Sequence, residues 1–103
     1  MQQLDEIEAG LHLVTRQLST PAGRLDLFCR DARGNYVVVE LKKTQGTDQV
    51  VGQVLRYMGW AQEAYPENNV RGIIIVGKKD DALRYALKAA PGIEAKEFKL
   101  SIG

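Results

Sequence analysis

Tyr36-Val37-Val38-Val39-Glu40-Leu41-Lys42 and Val70-Arg71-Gly72-Ile73-Ile74-Ile75-Val76 are the two stretches that decide the fold. The first is β-branched and aromatic until Glu40, the composition of a strand. The second is apolar apart from Arg71, the mark of a strand covered on both faces. Between them Val51, Val54, Leu55, Met58 and Ala61 recur at helical spacing. Thr47 or Asp48 is placed to cap that helix, which runs to about Tyr65 before Pro66-Glu67-Asn68-Asn69 ends it. Strand, helix, strand is a βαβ unit, so the two strands are expected to be parallel with a right-handed crossover.

Working outward, Arg24–Arg30 is a second β-rich run, joined to Tyr36 by Asp31-Ala32-Arg33-Gly34-Asn35, a hairpin by composition. Ser19-Thr20-Pro21-Ala22-Gly23 is turn chemistry before it, and Leu11–Leu18 alternates as a strand before that. Leu4–Ala9 suits a short acidic helix with Gly10 as its left-handed stop. Downstream, Asp80 or Asp81 starts a helix through Ala89, Pro91-Gly92 stops it, and Ile93–Ile102 is a more polar strand expected at a sheet edge. The order αβββαβαβ predicts a fold of class α/β, a mixed sheet flanked by helices.

The chain has 103 residues, 45% hydrophobic and 26% charged, which predicts one domain spanning 1–103. No apolar run approaches the ~18 residues of a membrane span, and the acidic start Asp5-Glu6 is unlike a secretory signal. Cys29 stands alone, so no internal disulfide forms, and one cysteine with one histidine cannot build a zinc site. A cytoplasmic protein without membrane contact is expected. A formal net charge of +1 gives no global field toward nucleic acid.

The chemistry sits on the hairpin. If the Asp31–Asn35 loop is symmetric, Arg30 pairs with Tyr36 and Asp26 falls opposite Glu40. Side chains alternate along the strand, so Val38, Glu40 and Lys42 share one side, with Glu40 and Lys42 roughly 7 Å apart. Opposed carboxylates repel, and a divalent cation would compensate them. Asp26, Glu40 and the Leu41 carbonyl are the hard oxygen ligands that Mg²⁺ takes, and Lys42 beside such an ion can hold a scissile phosphate or position the nucleophilic water. Alone, a Glu-x-Lys on a strand is an ordinary solvated ion pair. Placing it on a strand flanked by Val37, Val39 and Leu41 makes an idle charge uncommon.

Gln53 and Tyr57 lie four apart on the helix that follows and project from one face. On a structural reading Tyr57 is core filling and Gln53 a surface residue. Gln53 would orient a carboxylate or contact DNA backbone. Gly52 and Gly59 each cost about 1 kcal/mol of helix propensity, and close packing of helix on sheet is the expected offset. Glu8 is either a further acidic ligand or a solvated glutamate.

Asp26, Glu40-Leu41-Lys42 and Gln53-x-x-x-Tyr57 together resemble the PD-(D/E)XK nuclease superfamily in its RecB-like variety. Glu8-Ala-Gly-Leu11, Thr20-Pro-Ala-Gly-Arg-Leu-Asp26, Tyr36-Val-Val-Val-Glu-Leu-Lys42, Gln53-Val-Leu-Arg-Tyr57 and Val70-Arg-Gly-Ile-Ile74 are more closely similar to the C-terminal nuclease domain of NucS/EndoMS endonucleases. The similarity covers nearly the whole chain and is weakest after Asp80. It implies a restriction-endonuclease-like fold and Mg²⁺- or Mn²⁺-dependent cleavage of DNA. By position, Asp26 and Glu40 are implied as metal ligands with the Leu41 carbonyl, Lys42 as the catalytic lysine, Gln53 and Tyr57 as support, and Glu8 as an accessory ligand. Arg24, Lys43 and Arg56 are the candidates for phosphate contact. Leu25 fills the position that the superfamily's name gives to proline, as in many RecB-like members. A separate N-terminal DNA-binding domain is expected to be absent, so a stand-alone catalytic module is expected to act as a homodimer or with a partner that delivers DNA. Two other readings stay open: a non-catalytic module binding DNA or protein on a nuclease fold, and a branched-DNA resolvase.

Overall fold

The computed structural model describes residues 3–46 and 48–98. The element order is α1 (Gln3–Ile7), β1 (His12–Thr20), β2 (Gly23–Arg30), β3 (Tyr36–Gly46), α2 (Gln49–Ala64), β4 (Val70–Lys79), α3 (Asp81–Lys88) and β5 (Ile93–Glu97). β3 runs through the middle of the sheet, and Val37, Val38 and Val39 have no exposed surface. Among the described residues the sheet has five strands in the order β1-β2-β3-β4-β5. Antiparallel pairing joins β1 to β2 and β2 to β3, and parallel pairing joins β3 to β4 and β4 to β5. The α/β class, the parallel βαβ unit and the edge position of β5 are as the sequence predicts.

The hairpin register is also the predicted one, with Arg30 opposite Tyr36 and the ladder continuing to Leu27↔Val39. Asp31 sets it. Its Oδ1 accepts the N–H groups of Arg33 and Asn35, both at 2.9 Å, and its Oδ2 accepts from the Asn35 side chain. Arg71, the one charge in the apolar run, reaches Asp31 Oδ2 at 3.1 Å and also pairs with Glu8. Burial pushes the Asp31 carboxyl up, but hydrogen bonds from Asn35, Arg71 and the Arg33 N–H outweigh it and hold it below its ordinary value. Asp31 therefore contributes stability above the ordinary carboxylate range, and that stability is lost as pH falls through the lowered value.

Element ends differ in small ways from the sequence reading. β1 is displaced to His12–Thr20, and β3 continues past Lys42 through a bulge to Gln45↔Lys78 and Gly46↔Lys79. Asp48 is the N-cap of α2 but makes no side-chain capping bond, while Asp80 caps α3 by accepting from the Leu83 N–H at 2.7 Å. Thr47, the other candidate cap, and residues 99–103 of the expected last strand lie outside the described residues.

Two cores sandwich the sheet. Beneath α2 and α3 lie Leu25, Phe28, Val38, Ile74 and Val76, packed on Val54, Met58 and Leu83. Beneath α1, Ile7 and Leu11 cover Cys29, Val37, Val39 and Ile73. Phe28 stacks on Tyr36 at 4.9 Å between ring centroids and meets Trp60 edge-on at 5.7 Å. Leu55, expected on the buried face of α2, is 49% exposed, while Tyr57 takes a buried place. With Val50, Val51, Val54, Met58 and Ala61 also buried, the apolar stripe is centred a step away from Leu55.

The glycines of α2 do not serve close packing. A Cβ added at Gly52 or Gly59 would meet nothing within 4 Å, and both residues are exposed. The close approach is granted by the strand: a Cβ at Gly72 on β4 would sit 2.5 Å from Val54 Cγ1 and 3.2 Å from Met58 Sδ. Gly52→Ala and Gly59→Ala are therefore expected to stabilise the domain by about 0.5–1 kcal/mol each. Gly72→Ala is expected to destabilise it by about 1–3 kcal/mol through overpacking. Urea titrations of the three variants would read both signs.

Candidate active site

The β2–β3 ladder stops at Leu27↔Val39, one row short of Asp26 and Glu40. In that row the side chains replace the ladder. The Asp26 N–H donates to Glu40 Oε1 at 3.0 Å, and Asp26 Oδ2 accepts from the Leu41 N–H at 2.9 Å. The two carboxylates are therefore interlocked across the strands rather than merely opposed, and each receives one backbone N–H from the other strand. Among the described residues, Asp26 Oδ1 and Glu40 Oε2 accept no protein hydrogen bond.

Glu40 is 6% exposed, an uncommon place for a carboxylate. Burial pushes its pKa up. The Asp26 N–H pulls it down, the Asp26 charge pushes it up, and the Lys42 charge pulls it down, leaving it raised overall. Lys42 is half-buried on the same face of β3, one step beyond Glu40.

Helix α2 buttresses this row from below. The Tyr57 hydroxyl donates to the Arg24 carbonyl at 2.9 Å, two residues before Asp26. Gly23, at φ 125°, lets the strand start against that hydroxyl, since a Cβ there would lie 3.1 Å from it. Nothing local in the sequence names Tyr57 as the partner, although a glycine immediately before a strand is a signal for close approach. Burial raises the Tyr57 phenol, and the charge of Glu40 raises it further. Arg56 lowers it, and Asp26 adds a smaller upward push, so both carboxylates act at the hydroxyl. One helical turn earlier, Gln53 Oε1 is buried with no hydrogen-bond partner.

Asp26, Glu40, Leu41, Lys42 and Tyr57 are thus brought together, with Gln53 a turn away on the helix below. Glu8 is not among them. It pairs with Arg71, whose neighbours in register and packing lie toward the α1 side of the sheet and the Asp31 end of β3. Arg24 and Arg56 are exposed at the margin, and the Lys43 side chain lies outside the described residues. Among the described residues no group of three or more His, Cys, Asp or Glu is placed to hold a metal ion, so the carboxylate donors number two.

The model of the endonuclease NucS C-terminal domain matches residues 1–100. Endonuclease NucS of Sulfolobus acidocaldarius is 38% identical over 80 residues, covering 77% of this chain and 31% of that protein. Endonuclease NucS 2 of Halobacterium salinarum is 31% identical, covering 89% of this chain and 40% of that protein. The fold is similar to the crystal structure of a repair endonuclease from Pyrococcus abyssi, with TM-score 0.85 and 30% identity over 95% of this chain and 42% of that one. An EndoMS-dsDNA2 complex matches with TM-score 0.81 and 26% identity over 93% of this chain and 39% of that one. The chain spans less than half the length of each of these proteins. No helix among the described residues is long and apolar enough to cross a membrane.

The raised Glu40 pKa fixes a sign. Because the folded value lies above the unfolded one, stability contributed by Glu40 is greatest below the ordinary carboxylate range and is lost as pH rises through the raised value. Glu40→Gln keeps an oxygen for the Asp26 N–H and removes the buried charge. Its melting temperature without metal is expected to exceed the wild type's near about pH 8, with the gain shrinking toward about pH 4. Paired thermal melts across that range check this, and a lower melting temperature at every pH would make Glu40 a structural partner.

Proposed function

The chain belongs to the family of endonuclease NucS C-terminal domains, and on that premise we propose that it is a divalent-metal-dependent DNA endonuclease hydrolysing phosphodiester bonds. The observation that carries the reading is the interlocked row of Asp26 and Glu40, in which each carboxylate keeps one oxygen without a protein donor among the described residues. The donor set fits Mg²⁺ or Mn²⁺. Mg²⁺ is commonly held by one or two carboxylates while substrate phosphate and water complete its octahedron. Asp26 Oδ1 and Glu40 Oε2 would hold it. The Leu41 carbonyl leaves β3 on the same side as the N–H that meets Asp26, where the ladder has ended. When bound, the ion supplies Lewis acidity toward the scissile phosphate.

The chain's own residues do the rest. Lys42 places a positive charge one strand step from Glu40, positioned for the negative charge that develops on the phosphoryl oxygens. Tyr57 fixes the strand that carries Asp26 through the Arg24 carbonyl. The unpartnered Gln53 Oε1 can accept a hydrogen bond from a water in the site and so orient it. Arg24, Lys43 and Arg56 are the proposed contacts to DNA phosphates, which position the strand without reading sequence. The Glu8 carboxylate, engaged by Arg71, has no part in this account. A domain of 103 residues offers limited surface against a duplex, so action as a homodimer or beside a DNA-delivering partner is part of the proposal.

The test incubates the protein with single-stranded, duplex, flapped, mismatched and four-way-junction DNA in Mg²⁺, Mn²⁺ or EDTA. Cutting is expected with metal only, and Lys42→Ala is expected to reduce it by about 10²–10³-fold. Mn²⁺ should raise the melting temperature of the wild type and of Lys42→Ala, but not of Glu40→Gln. Absence of both cutting and the thermal shift would leave a non-catalytic module. A clean monomer by light scattering that cuts duplex would remove the dimer from the proposal.

A further inference from the structure

β1 and β2 pair in constant register through Arg16↔Leu27 and Leu18↔Leu25, yet the row between, Gln17 and Asp26, is left out of the ladder. Gln17 has φ 56°, and it is the sole non-glycine residue with positive φ among those described. The facing of β2 reverses at the same row. Leu25 and Leu27 are two apart and would share a face of a regular strand. Instead, Leu25 lies in the core beneath α2 and Leu27 packs with Cys29 in the core beneath α1. On β1 the alternation slips in step, because Arg16 and Gln17 are exposed in succession. Asp26 is the pivot of this reversal. A side chain at a pivot runs along the sheet instead of standing on one face, and that of Asp26 reaches the Leu41 N–H on β3.

We propose that Gln17 is a positioning residue whose left-handed backbone reverses the β1–β2 facing and thereby aims the Asp26 carboxylate across the sheet at β3. A left-handed φ outside glycine persists only where its surroundings enforce it, and irregularities of this kind beside a site re-aim one side chain. An extended Gln17 would restore alternation and turn the Asp26 side chain onto a face of the sheet, away from Leu41. The consequence for cleavage rests on the role given to Asp26 above, while the placement of Asp26 does not.

Two substitutions separate the possibilities. Gln17→Gly accepts the left-handed conformation freely, whereas Gln17→Val is driven toward extended backbone. The readouts are hydrogen exchange at the Leu41 amide without metal, followed by NMR, and Mn²⁺ affinity by calorimetry. Gln17→Gly should keep both at wild-type values. Gln17→Val should lower both by about tenfold while the Val38 and Ile73 amides stay protected. A folded Gln17→Val with unchanged Leu41 protection overturns the proposal, as does loss of that protection in Gln17→Gly. Should Gln17→Val not fold, backbone couplings of wild-type Gln17 decide: an extended φ with the Leu41 amide still protected overturns it. A wild type that takes up no Mn²⁺ overturns the nuclease reading, and the Leu41 amide then decides the positioning role alone.

Discussion

A strand covered on both faces leaves little room for charge, and everything else in this domain is arranged around that constraint on β3. Its three valines are sealed by helices on both sides, so β3 is held in register with β2 and β4 at once. Glu40 is the next residue along. It is only 6% exposed, and the β2 ladder ends at that row. The N–H groups released there become donors to the carboxylates. The site is thus made from unfinished sheet.

That origin gives the site its rigidity. Asp26 is tied at its own N–H, at its Oδ2, and through the Arg24 carbonyl two residues earlier. A loop-borne carboxylate would have to be ordered when a ligand arrives, whereas here the ordering accompanies folding. The opposite end of β3 is fastened by a different device. Asp31, Arg71 and Glu8 form a charge cluster that closes the hairpin and pins the α1 side. Both ends of the central strand therefore carry interlocking polar groups, one built on an arginine between carboxylates and the other on two carboxylates that meet backbone N–H groups.

Much of the fold was legible because it follows from periodicity and turn chemistry. The symmetric loop from Asp31 to Asn35 predicts Arg30 opposite Tyr36, and the apolar run from Val70 predicts a parallel strand beside β3. Asp26, Glu40 and Lys42 were legible for the same reason, since register and alternation place them together. What stayed hidden depends on the third dimension. A glycine in a sequence does not say which partner approaches it, so Gly52 and Gly59 drew attention that belonged to Gly72. Glu8 finds Arg71 across a separation of 63 residues, beyond any local pattern. The flat register also predicted two carboxylates in simple repulsion. The reversal of facing at Asp26 has no signature in hydrophobic alternation, because two apolar residues flank it whether or not the strand turns over.

The lone cysteine acquires a use from its position. Cys29 has no exposed surface, lies beneath α1 against Val37 and Val39, and has its thiol pushed up to about 11 by burial. The reactive species is the thiolate, and this environment suppresses it until water enters. Alkylation therefore clocks the lifting of the α1 cover. A rate that follows the equilibrium population of an open form reports local opening free energy, and one limited by opening itself reports an unfolding rate. The domain carries its own kinetic probe, on the face of the sheet opposite the helix that buttresses Asp26 and Glu40.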